Sequence, residues 1–95
     1  MRFEWDEAKN LANQRKHGIS FEEATELFDD PFVVSEPDRI EGGEQRWQSY
    51  GVISGMLLAM VAHTWRDENG DEVIRLISAR YATRKERRSY EEQNR

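Results

Sequence analysis

The chain has 95 residues, with 14 Lys and Arg against 19 Asp and Glu and a formal net charge of −5; this suits one small domain, residues 1–95, and leaves no room for a second. The absence of cysteine excludes disulfides and thiolate metal sites, and the longest apolar run, Met56 to Ala62, is far too short to cross a bilayer. No apolar signal core opens the chain, so the expectation is a cytoplasmic protein without membrane contact.

Taken in order, Phe3 and Trp5 flank a short extended segment, after which Asp6 caps a helix through Ala8, Leu11 and Ala12 to Lys16 and His17, stopped by Gly18. His17 then sits in a last helical turn, where a cation suits the helix C-terminus, and reads as structural. Ser20 caps a second helix with Glu23 three residues on; Phe21, Ala24, Leu27 and Phe28 form its apolar stripe, and Asp29-Asp30-Pro31 ends it. Phe32 to Ser35 is a first strand terminated by Pro37, and a polar connection through Gly42-Gly43 leads to a second from about Gln45 to Ile53. Ser54-Gly55 is a tight turn, Met56 to Trp65 a third strand, Asp67 to Asp71 with Asn69-Gly70 a second turn and Glu72 to Ala82 a fourth strand. Thr83 and Glu86 form a capping box that opens a short C-terminal helix. The predicted fold is α+β: two N-terminal helices packed on a four-stranded antiparallel sheet, then one short helix.

Charge is segregated along this frame. Glu22, Glu23, Glu26, Asp29, Asp30, Glu36, Asp38, Glu41 and Glu44 crowd the middle, but adjacent carboxylates diverge on a helix and lack the spacing of a cation loop, so no metal and no cofactor is expected. Arg75, Arg80, Arg84, Lys85, Arg87 and Arg88 instead concentrate positive charge in one stretch of an acidic chain, which suits a polyanion such as nucleic acid. The competing reading makes the helical cations a solvated face only.

If Ser54-Gly55 is a two-residue turn, Ile53 faces Met56, Gln48 faces Val61 and Arg46 faces His63. Across the next turn, a three-residue loop sets His63 opposite Arg75 and a two-residue turn sets it opposite Leu76. The first is preferred because it keeps the two faces distinct. Arg46, His63 and Arg75 then form a cross-strand row, with Glu44, Trp65 and Tyr50 on the same face and Trp47, Leu58, Met60, Ala62, Ile74 and Leu76 on the other. Such a face suits RNA cleavage without a metal: His63 or Glu44 as base, charged His63 as acid, and Arg46, Arg75 and Arg80 at the phosphate. Trp65 or Tyr50 would stack a base, and Arg84, Lys85 and Arg88 would hold the strand.

Phe3-Glu4-Trp5-Asp6-Glu7-Ala8-Lys9, Asn13, Lys16-His17-Gly18-Ile19, Phe21-Glu22-Glu23-Ala24 and the run from Ile74 to Arg87 together resemble the BrnT family of bacterial type II toxins, in order and over almost the whole chain. The resemblance implies a fold similar to the RelE superfamily and a ribosome-independent endoribonuclease that arrests translation. It also implies neutralisation by a BrnA-type antitoxin, which would supply the only contact with DNA. The family's basic and polar sheet residues fall on Arg46, His63, Arg75, Arg80 and Lys85. Against this stands a noncatalytic RNA- or protein-binding module, which toxicity on expression would separate from a nuclease.

Overall fold

The helix boundaries in the computed structural model, which describes residues 1–94, follow local capping chemistry. Helix α1, Glu7–His17, starts where the Asp6 carboxylate accepts from the Lys9 amide and stops at Gly18, whose φ of 73° lets its N–H return to the Gln14 carbonyl. This helix is not docked by Leu11, which is 49% exposed. Two buried amides hold it instead. Asn13 Nδ2 donates to the Ile19 carbonyl at 3.0 Å and the Ala79 carbonyl at 2.8 Å, and its Oδ1 accepts from the Ala79 amide at 3.1 Å. Asn10 Oδ1 accepts from the Phe21 amide at 2.8 Å. Polar atoms thus close a backbone gap that apolar packing would leave unsatisfied.

The second helix is shorter than expected. After the Ser20–Glu23 capping box, α2 covers only Phe21–Ala24, and a 3₁₀ turn takes over from Thr25 to Asp29. The buried residues Phe21, Ala24 and Leu27 recur every third position, the repeat that a 3₁₀ turn places on one side.

The sheet corrects the predicted fold class. It has five strands in the order β1-β5-β4-β3-β2 and is mixed, not four-stranded and antiparallel. Strand β1, Arg2–Glu4, runs parallel to β5, Asp71–Tyr81; β4 is Leu57–Glu68, β3 Glu44–Ile53 and β2 Val34–Glu41. Pro37 does not end β2 but sits inside it, beside a register shift before Ile40. An edge strand tolerates this, because the missing N–H can face outward.

Both hairpin registers also differ from expectation. Ser54 and Gly55 have φ of 51° and 79° and the Met56 amide reaches the Ile53 carbonyl, yet Met56 is an extra residue and Ile53 pairs with Leu57. One added residue turns all of β4 over relative to β3. At the second hairpin the loop is the two-residue Asn69-Gly70 turn, closed by Glu68 and Asp71, so His63 pairs with Leu76 rather than Arg75. The alternation that argued against this register is rescued by a bulge at Ile77, after which Ala62 pairs with Ser78.

The inner face of the sheet buries Ile53, Ala59, Val61, Ile74, Leu76 and Ala79 against Ile19, Phe21, Ala24 and Leu27. Helix α3, Arg84–Gln93, opens with the expected Thr83–Glu86 capping box and lies over one end of the outer face, with none of its residues buried. Among the described residues, no helix is long and apolar enough to cross a membrane.

Candidate nucleic-acid interface

Strand registers arrange the outer face in successive rows. Tyr50, Met60 and Arg80 form the first; Gln48, Ala62 and Ser78 the second, with Glu36 beside Gln48; Thr64 and Arg75 the third, extended by Glu4. Arg46, two residues before Gln48, continues onto the third row by strand alternation. The second row is floored by the small side chains of Ala62 and Ser78, leaving a trough between two polar walls. At about 3.3 Å per residue, the flanking rows stand roughly 13 Å apart, so groups from both can reach an anion over the trough.

The third row contains two buried polar atoms without a hydrogen-bond partner among the described residues, Arg46 Nε and Thr64 Oγ1. Thr64 is 1% exposed. Leaving such groups unpaired costs about 1–3 kcal/mol each, so the pair stands out against the usual pairing of buried polar atoms. Arg75 is only loosely engaged, with Nη1 3.8 Å from Glu4 Oε1, because that oxygen takes a 2.8 Å bond from Arg66 Nη1. The Arg66 hydrogen bond is also the main reason that the Glu4 carboxyl lies below its usual range.

In the first row Arg80 is committed. Its Nη1 and Nη2 grip Glu86 Oε1 and Oε2 at 2.7 and 2.9 Å, a paired contact that draws the Glu86 carboxyl down to about 2. Tyr50 Oη donates to Gln48 Oε1 at 2.8 Å and lies 3.4 Å from Glu86 Oε2. Burial and the negative charge of Glu86 push its phenol up to about 12. Between this row and α3 is a cleft of about 300 Å³, lined among others by Glu36, Tyr50, Lys85 and Glu86.

The structure therefore divides the sequence-predicted set. Glu44, Arg46, Arg75 and Arg80 share the outer face, with Glu44 at its exposed end where β3 begins. Lys85 borders the cleft, while Arg84 and Arg88 are exposed on α3. His63 and Trp65 belong to the inner face, so the expected row of Arg46, His63 and Arg75 does not form. His63 is fully buried. Its Nδ1 lies 3.0 Å from the Thr64 carbonyl, which only accepts, so Nδ1 carries the proton and Nε2 accepts from Ser49 Oγ at 2.7 Å. Burial depresses its pKa and keeps the ring neutral. Trp65 is 40% exposed beyond the helices, edge-on to Trp47 with centroids 5.6 Å apart, and its indole N–H donates to Glu72.

Thr64 and Glu36 lie outside the sequence-predicted site residues, and Glu86 was expected only as a helix cap. A polar Thr64 in a strand of apolar residues was the available signal for the first.

A family model described as "Ribonuclease toxin, BrnT, of type II toxin-antitoxin system" matches residues 5–86. Among solved structures, the Brucella abortus ribonuclease toxin BrnT is similar, with a TM-score of 0.62 and 26% identity over 88% of this chain and 99% of that one. A search of curated proteins found no match. With a family match over most of the sequence and a shared fold, the chain belongs to the BrnT family, ribonuclease toxins of type II toxin-antitoxin systems.

Proposed function

We propose that this protein is an endoribonuclease that cuts single-stranded RNA on the outer face of its sheet, without the ribosome and without a metal ion. The observation that carries the reading is the third row, where buried, unpartnered Arg46 Nε and Thr64 Oγ1 accompany the loosely held Arg75. Two guanidinium groups suit a phosphodiester, whose charge increases at the transition state. The RNA's own 2′-oxygen attacks phosphorus, and a carboxylate on this face, Glu36 or Glu44, takes its proton.

Residues 1–95 act as a single domain in the cytoplasm. A BrnA-type antitoxin restrains the protein, and any contact with DNA is made through that partner. Arg80 serves mainly by fastening α3 through Glu86, with Lys85, Arg84 and Arg88 adding positive potential along the RNA path.

The test is cleavage of a defined single-stranded RNA in excess EDTA by the parent protein and by the Arg46→Ala, Arg75→Ala double variant. We expect a 2′,3′-cyclic phosphate product from the parent and at least a 100-fold loss in the variant with an unchanged melting temperature, the scale of removing charge stabilisation at a reacting centre. Full activity in the double variant would reject the phosphate site. Dependence of the parent on magnesium would reject the reaction class.

A further inference from the structure

The reaction needs an acid as well as a base. We infer that Tyr50 is the general acid, delivering its phenolic proton to the 5′-oxygen that leaves the phosphorus. This rests on the reading that RNA is cut over the trough and adds a catalytic residue to it.

Few groups near the outer face can give up a proton. His63 is buried on the opposite side of the sheet, in contact with Thr64 and Ser49. Arginines hold their protons too tightly to act as acids. Lys85 stands in the first turn of α3, an exposed element with no buried residue to fix it. Tyr50 is different in kind: its ring is buried on a central strand while its hydroxyl borders the cleft. The 2.8 Å hydrogen bond to Gln48 Oε1 draws that hydroxyl from the first row toward the second, where Ala62 and Ser78 floor the trough. A phosphate held from the third row by Arg46 and Arg75 would thus present its leaving oxygen toward the Tyr50 side.

The surroundings suit an acid. Burial first, then Glu86 and Glu36, keep the phenol protonated, and its pKa of about 12 leaves essentially every molecule carrying the proton at neutral pH. The departing alkoxide is more basic than the phenolate, so the proton passes to it downhill. Arg80, across Met60 in the same row, favours the phenolate left behind.

The 2′-oxygen gives its proton to the base and forms a bond to phosphorus; the bond from phosphorus to the 5′-oxygen breaks, and its electron pair stays on that oxygen. The 5′-oxygen takes the proton of Tyr50 Oη. The products are a 2′,3′-cyclic phosphate and a 5′-hydroxyl, and water reprotonates the tyrosinate.

The experiment compares two RNAs of one sequence, natural and with sulfur replacing the bridging 5′-oxygen at the cleavage site. A thiolate leaves without needing a proton. Tyr50→Phe keeps the ring and its packing, and should cut the natural RNA about 10²- to 10⁴-fold more slowly, the usual contribution of acid catalysis. On the sulfur-bridged RNA it should match the parent within about threefold. Equal loss on both RNAs would overturn the assignment and leave Tyr50 a structural role, as would undiminished cleavage of natural RNA. Should Tyr50→Phe not fold, as read by thermal melting, 3-fluorotyrosine at position 50 replaces it. A changed rate on the oxygen substrate only supports the inference, and equal rates on both for variant and parent overturn it. If the parent cuts neither RNA, the underlying nuclease reading fails and this inference fails with it.

Discussion

Removing the Glu86 carboxylate should release α3 while leaving the sheet folded. Glu86→Ala deletes both contacts to Arg80, at 2.7 and 2.9 Å, and the return half of the capping box, the 2.9 Å bond from the Thr83 amide. A charge-assisted pair is worth about 1.5–3 kcal/mol, and the lower end applies because Arg80 keeps about a third of its side chain in water. The lost capping bond adds about 0.5 kcal/mol. The remaining fastenings named here, Tyr90 Oη to Asp30 at 2.6 Å and Asn94 Nδ2 to the Phe32 carbonyl at 3.2 Å, still tether the far end. A total near 2 kcal/mol multiplies the undocked fraction roughly 30-fold, at 1.36 kcal/mol per factor of ten. Limited trypsin digestion reads this directly, since Lys85, Arg87 and Arg88 are cleavage points within the helix and the rate follows the open population. Cleavage there should accelerate about 30-fold, Arg80→Ala should do much the same, and combining the two should add little. A change below about threefold would show that this contact does not hold the helix. The sign with pH follows from the depressed carboxyl: its contribution is complete above the ordinary value of 4.5 and disappears as pH falls through about 2.

Two further outcomes follow from the inner face. Because His63 is neutral in the fold with a pKa below its ordinary 6.5, the unfolded chain binds more protons there, so melting temperature should fall as pH drops below about 6.5. His63→Leu should flatten that slope yet cut RNA within a few-fold of the parent; loss of activity in the folded variant would restore His63 to the chemistry. Gly51→Ala would put a Cβ 2.7 Å from the Leu27 carbonyl oxygen and 2.9 Å from Leu27 Cβ, which the 3₁₀ turn cannot easily yield. Overpacking of this kind costs about 1–3 kcal/mol. A drop of at least about 5 °C in thermal melting is expected, and an unchanged midpoint would show that the turn can move aside.

Much of the candidate site was legible as composition and position. Arg46, Arg75, Arg80 and Glu44 were singled out as strand residues, and the structure places all four on one face. The partner of Arg80 was less legible, since Glu86 read only as a capping residue. Thr64 was overlooked because its significance depends on what lies around its hydroxyl. The error over His63 and Trp65 came from both hairpins: Met56 joins the first turn in addition to Ser54 and Gly55, and the two-residue Asn69-Gly70 turn sets His63 opposite Leu76 rather than Arg75.

The sequence by itself determined several features settled within a few residues: the Asp6 and Gly18 ends of α1, and the Ser20–Glu23 and Thr83–Glu86 capping boxes. The order of its motifs also carried the family resemblance. Only the tertiary structure decided the parallel seat of β1 on β5, the outward use of Leu11 and the faces of β4. A three-residue strand has too little periodicity to announce a partner about 70 positions away. Side chains alternate with a period of two, so a single extra turn residue or a single bulge exchanges inside for outside. What selects between those registers is the burial of the whole inner face against Phe21, Leu27 and Phe28, and that free energy exists only once the helices and strands have met.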